Sequence, residues 1–111
     1  MKKSNWQEVQ AKAKEEGKPI FMHIYATWCG PCKKMMANVY TDPELADNYN
    51  ANFVNVAYDG EKGPGKELAE NYKIKGYPSL LFFNADGTIA EQAYGYHNAE
   101  ELIKKGNKHL R

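Results

Sequence analysis

The stretch Ile20-Phe21-Met22-His23-Ile24-Tyr25-Ala26 is almost wholly apolar, is rich in strand formers, and shows no polar alternation that would mark one face as wet. A strand of this kind is buried on both sides, so it belongs in the centre of a sheet with covering layers above and below it. Two residues later comes Cys29-Gly30-Pro31-Cys32. Pro31 suits a first helical turn and 33–40 contains no breaker, so the spacing predicts a helix that starts on the cysteine pair itself. Asp42-Pro43-Glu44 then restarts it, with Thr41 or Asp42 as the cap, which predicts a helix bent or broken at that point and running on through Tyr49.

The rest of the chain supplies the layers. Ser4 with Gln7 three residues on has the form of a capping box, and Trp6, Val9, Gln10 and Ala13 recur at helical spacing until Gly17 and Pro19. Phe53, Val54 and Val56 give a second strand, and the glycine-rich stretch 59–65 reads as a mobile loop before a short helix over 66–72. Leu80-Leu81-Phe82-Phe83 is a further buried strand, Asn84-Ala85-Asp86-Gly87 a hairpin turn, and 88–94 its return strand. Asn98 and Glu101 cap a last helix that turns Leu102, Ile103 and Leu110 inward. A strand-helix-strand half followed by a hairpin and a helix implies an α/β domain over 1–111, one mixed sheet with helices on both faces.

Charge does not choose a partner. Fifteen basic against fourteen acidic side chains give a net charge of +1, which draws the chain neither to nucleic acid nor to an anionic membrane. The longest apolar run, four residues from Leu80, is far short of the roughly 20 that a spanning helix takes. Basic residues at the N-terminus are followed by no apolar stretch, so no secretory leader is expected in the chain as given, and an extracytoplasmic location would follow only if one had been removed.

Function is therefore sought at the two cysteines. They are too few for a disulfide-stapled scaffold or a four-cysteine zinc site, and a bridge closing so short a loop removes little unfolded-state entropy. Residues three apart in a helix have Cα atoms roughly 5 Å apart, within disulfide range, so the pair can cycle between dithiol and disulfide with little backbone movement. Cys29 falls at the start of the helix, where free N–H groups and the positive dipole end favour a thiolate, which makes it the expected nucleophile. Cys32, one turn deeper, is the expected resolving thiol. Gly30 leaves room for an incoming sulfur and Pro31 stiffens the turn.

Trp28-Cys29-Gly30-Pro31-Cys32-Lys33 resembles the active-site signature of thioredoxins, Tyr77-Pro78-Ser79 resembles their cis-proline segment, and Gly95 matches the glycine after their hairpin. The 17–21 and 59–65 stretches are similar to the bacterial, disulfide-isomerase-like branch of that family. The resemblance implies a thioredoxin fold with a four- or five-stranded mixed sheet, a monomer, and a thiol-disulfide oxidoreductase that acts on protein or peptide thiols and disulfides. It implies a partner reductase or oxidase, and neither cofactor nor metal beyond the cysteine pair. Trp28, Gly30, Pro31, Tyr77, Pro78 and Gly95 would then contact substrate, with Tyr94 and Tyr96 nearby and the Tyr77–Pro78 bond cis.

This chain departs from that pattern at one pair of positions. Where thioredoxins place a buried Asp six residues before the first cysteine, this chain has His23, and their lysine on the second strand corresponds to Asn55. A neutral imidazole could take the Cys32 proton as a carboxylate does, or His23 could be a packing residue of the core. Two other classes stay open: a copper- or zinc-binding protein using both thiolates with Met35, Met36 or a histidine, and a peptide-binding domain without catalysis. His97 and His109 stand at no recognisable metal spacing.

Overall fold

The computed structural model describes residues 5–110. Its order is α1 (Trp6–Glu16), β1 (Ile20–Tyr25), α2 (Gly30–Asn38), α3 (Pro43–Asn52), β2 (Val54–Asp59), α4 (Gly63–Asn71), β3 (Ser79–Phe83), β4 (Ile89–Tyr94) and α5 (Ala99–Asn107). The four strands form one sheet in the order β2-β1-β3-β4, parallel between β1 and β2 and antiparallel in the other two pairs. The apolar run of β1 is thus paired on both edges and covered on both faces. Ile20, Met22 and Ile24 pack with Val9 and Ala13 of α1 and Leu68 of α4 on one side. Phe21 packs with Met35, Val39, Tyr49 and Leu102 of α2, α3 and α5 on the other. Among the described residues, no helix is long and apolar enough to cross a membrane.

The local chemistry of each end follows from the sequence. Asn5 caps α1, accepting from the Gln7 and Glu8 N–H groups, whereas the expected cap Ser4 lies outside the described residues. Gly17 closes that helix in the left-handed region at φ 65°. Asp42 caps α3 through the Leu45 N–H, so the break expected after the cysteine motif separates two distinct helices. Asn98 and Glu101 form the capping box of α5.

One expectation is corrected. The stretch 59–65 is not all loop, since α4 already begins at Gly63. The Gly60 N–H donates to the Tyr25 carbonyl at 2.8 Å and the Glu61 N–H to Asp59 Oδ1 at 2.9 Å. A β-carbon on Gly65 would overlap the Asp59 carbonyl, and one on Gly60 would lie 2.6 Å from the Tyr77 ring. These two glycines let backbone and ring approach closely, and composition alone reads the same as mobility.

Candidate active site

The chain leaves the end of β1 at Tyr25 and turns into α2 with Cys29 as the N-cap residue and Pro31 in the first turn. Cys29 and Cys32 form a disulfide with Cα atoms 5.3 Å apart. The Cys29 sulfur accepts the Cys32 N–H at 3.1 Å, so it occupies the place where a capping oxygen sits in other helices. In the reduced protein that hydrogen bond and the helix dipole favour an anion on Cys29. Exposure does not separate the two residues, for they are 3% and 2% accessible. Their difference lies in position along the helix start.

The surface around the bridge is aromatic. Trp28 is 66% exposed and meets Tyr77 edge to face at 5.7 Å, while its indole N–H donates to Glu61 Oε1 at 2.8 Å. Tyr77 rests on Gly60 and packs against the cluster of Ala26, Cys29 and Cys32. Burial, then the nearby Glu61 and Asp59 carboxylates, push its phenol above the ordinary value and keep it neutral. The Tyr77–Pro78 peptide is cis, and the Pro78 carbonyl accepts the Gly95 N–H at 2.9 Å. Gly95 itself stands at φ 96°, and Gly30 and Pro31 are exposed on the motif turn. Tyr94, 69% exposed, covers Gly76, and Lys34 of α2 lies over the Tyr96 ring at 5.2 Å. Glu61 and Gly60, which hold Trp28 and Tyr77 in place, gave no signal in the sequence beyond turn composition.

His23 is fully buried on the face of β1 that carries Phe21 and Tyr25. Its Nδ1 is 2.8 Å from the Tyr40 hydroxyl, and its Nε2 is buried with no hydrogen-bond partner. Burial pulls the imidazole from 6.5 down to about 4. Burial, then Tyr49, pushes the Tyr40 phenol well above its usual range, so both groups are neutral at pH 7. Asn55 does not stand beside His23. It pairs with Phe21 in the sheet, His23 faces Ala57, and the Asn55 amide donates to the Tyr49 and Phe53 carbonyls. Met35 is fully buried in the core whereas Met36 is exposed, so the two thioethers do not converge. Among the described residues, no three His, Cys, Asp or Glu side chains are grouped to hold a metal ion.

Residues 6–110 match the family described as Thioredoxin-like domain. Thioredoxin-1 of Drosophila melanogaster is 36% identical over 78 residues, 70% of this chain and 68% of that protein. Protein disulfide isomerase-like 2-2 of Oryza sativa is 33% identical over 90 residues, 81% of this chain but only 24% of the rice protein's length. The solution structure of a candidate disulphide-isomerase from Bacteroides thetaiotaomicron superposes with a TM-score of 0.84 at 37% identity, covering 100% of this chain and 91% of the other.

Proposed function

The chain belongs to the thioredoxin-like family, and on that premise we propose that it is a thiol-disulfide oxidoreductase passing two electrons between its cysteine pair and protein cysteines. The observation that carries the reading is the bridge at the start of α2, with the Cys29 sulfur in the capping position. In the reducing direction the Cys29 thiolate attacks one sulfur of a substrate disulfide. A Cys29–substrate bond forms, and the departing substrate sulfur takes a proton. Cys32, having lost its own proton, then attacks the Cys29 sulfur, forms the internal bridge and expels the second substrate thiolate. Two electrons reach the substrate, and a dithiol partner returns them by the same steps. The oxidising direction is the reverse sequence.

Only the two sulfurs of the bridge and the two substrate sulfurs change oxidation state in this scheme, and it calls on no metal or organic cofactor. The aromatic rim of Trp28 and Tyr77 flanks the bridge, which suits an extended protein segment carrying cysteine better than a small thiol. The test is turbidimetric reduction of insulin with dithiothreitol as electron source. Wild type accelerates precipitation and Cys29→Ser does not. A wild-type rate equal to the dithiothreitol background would overturn the reading.

A further inference from the structure

The sheet edge that carries the bridge is charged differently on its two sides. In the order β2-β1-β3-β4, the end of β2 at Asp59, the end of β1 at Tyr25, the start of β3 at Ser79 and the end of β4 at Tyr94 share that edge. Asp59 closes β2 and Glu61 follows it, bonded to the Trp28 indole. Across the bridge, the segments 73–77 and 94–98 and the first turns of α2 hold Lys33, Lys34, Lys73, Lys75 and His97, and no carboxylate. The shallow groove of about 420 Å³ that Lys73, Lys75 and Tyr94 line has no carboxylate in its walls either. Glu100 and Glu101 come next along the chain, but they belong to the first turn of α5, where Glu101 closes the capping box. Among the described residues, none of the four lysines forms an ion pair with a carboxylate.

One of the four is held in place. Lys34 Nζ lies 5.2 Å from the centre of the Tyr96 ring. The backbone beside Tyr96 is tied to the cis-proline segment, since the Gly95 N–H donates to the Pro78 carbonyl at 2.9 Å and the Gly95 carbonyl accepts from His97 Nδ1 at 2.8 Å. A cation–π contact orders the lysine stem without neutralising its charge, so an incoming carboxylate meets a whole ammonium whose ordering is already largely complete. Along α2, Lys34 stands five residues past Cys29, about 7 Å at about 1.5 Å per residue. An extended chain covers that distance in about two residues.

We propose that Lys34, steadied by Tyr96, anchors an acidic side chain of the substrate protein about two residues from the reacting cysteine, so that the site prefers cysteines with a carboxylate on one flank. The inference rests on the redox reading of the bridge and narrows the class of protein that it acts on. The anchor is one-sided, because a carboxylate on the opposite flank meets Asp59 and Glu61, which repel it. An acidic residue before the cysteine and one after it are therefore not equivalent to this site. Lys34 touches no reacting atom, and its part is to select the segment that Cys29 meets.

The test uses three peptides with serine in place of the cysteine, titrated into the oxidised, nitrogen-15-labelled protein at low salt. One carries Glu two positions before the serine and Gln two positions after, the second has these reversed, and the third has Gln at both. Dissociation constants come from the amide shifts of Lys34 and Tyr96. One Glu peptide should bind about three- to fivefold more tightly than the Gln peptide, the upper range for an exposed ion pair, and the other no more tightly. Lys34→Gln should remove that gain and Lys34→Arg should keep it. Equal binding of all three peptides, equal gains for both Glu peptides, or a gain that survives Lys34→Gln would overturn the anchor. No electron passes in this titration, so it decides the inference even if insulin reduction fails and the proposed function falls.

Discussion

Acid should unfold this protein through His23, well before its carboxylates protonate. The imidazole is buried and neutral, with burial holding it at about 4 against 6.5 in an unfolded chain. Between those values the unfolded state binds a proton that the folded state does not, so stability is full above pH 6.5 and drains away as pH falls towards 4. At about 1.4 kcal/mol for each pH unit between the two values, the whole effect is about 3 kcal/mol, of which about 2 kcal/mol is gone by pH 5. That is a large share of the 5–15 kcal/mol typical of a domain. Glu91, hydrogen-bonded by Lys105, His109 and Lys108, is held at about 2 in spite of its own partial burial, and its contribution is lost in a separate window below 4.5. The assay is urea unfolding at pH 7 and pH 5 for wild type and His23→Leu, comparing midpoints at a common slope. The leucine variant removes the group that titrates in the core, and every other titrating group cancels in the difference. Wild type should lose about 2 kcal/mol more than the variant between the two conditions. Equal losses would show that His23 is hydrated or already charged in the folded state, and would remove the argument for a neutral imidazole.

Two further outcomes follow from the segment that supports the rim. Gly65→Ala forces a methyl group into the Asp59 carbonyl and within 3.1 Å of the Tyr58 β-carbon, so α4 must lift from β2; the expected cost is about 1–3 kcal/mol by urea unfolding, and an unshifted midpoint would refute the close approach. Glu61→Ala frees the Trp28 indole from its exposed hydrogen bond, so the melting temperature should stay nearly constant while kcat/KM for insulin falls about two- to tenfold; a fall in stability with unchanged kinetics would make the contact structural.

The central strands were legible because they are carried by burial. Residues of β1 and β3 are apolar on both faces, and that pattern has few alternatives to a central position in a covered sheet. The caps Asp42 and Asn98 were legible because side-chain chemistry at a helix start is local. What composition could not separate is a glycine that supplies freedom from one that supplies room. Gly60 and Gly65 sit in a stretch that reads as loop, yet each is set by a contact with Tyr77 or Asp59 that exists only after folding. The thioredoxin-like family and its paired cysteines were readable from Trp28 to Lys33 together with Tyr77 to Ser79 and Gly95. The partner of His23 was not, because Tyr40 is 17 residues away and meets it only across the sheet face. Asn55 was misplaced for the same reason, since the register of two parallel strands is fixed by the packing of the helices that cover them.

The roles of the two sulfurs follow from their places at the helix start, and exposure does not set them. Cys29 and Cys32 are almost equally buried in the bridged state, so access alone would let either be attacked. The asymmetry is in what each sulfur gains on becoming an anion. Cys29 caps the helix, accepts the Cys32 N–H and lies beside the exposed Trp28 and the open turn at Gly30. Cys32 is inside the first turn, and its own N–H is what stabilises the other sulfur. Cys32→Ser preserves that N–H and removes the only thiol placed to resolve a mixed disulfide, and a serine hydroxyl is too weak an acid to replace it. Reduced Cys32→Ser should therefore accumulate covalent adducts with oxidised substrate proteins, seen as bands on a non-reducing gel that vanish with dithiothreitol. Cys29→Ser should give none, because its remaining thiol lacks the capping interaction. Adducts formed through Cys32 in the Cys29→Ser protein, at a yield equal to those of Cys32→Ser, would mean that the capping hydrogen bond does not select the nucleophile.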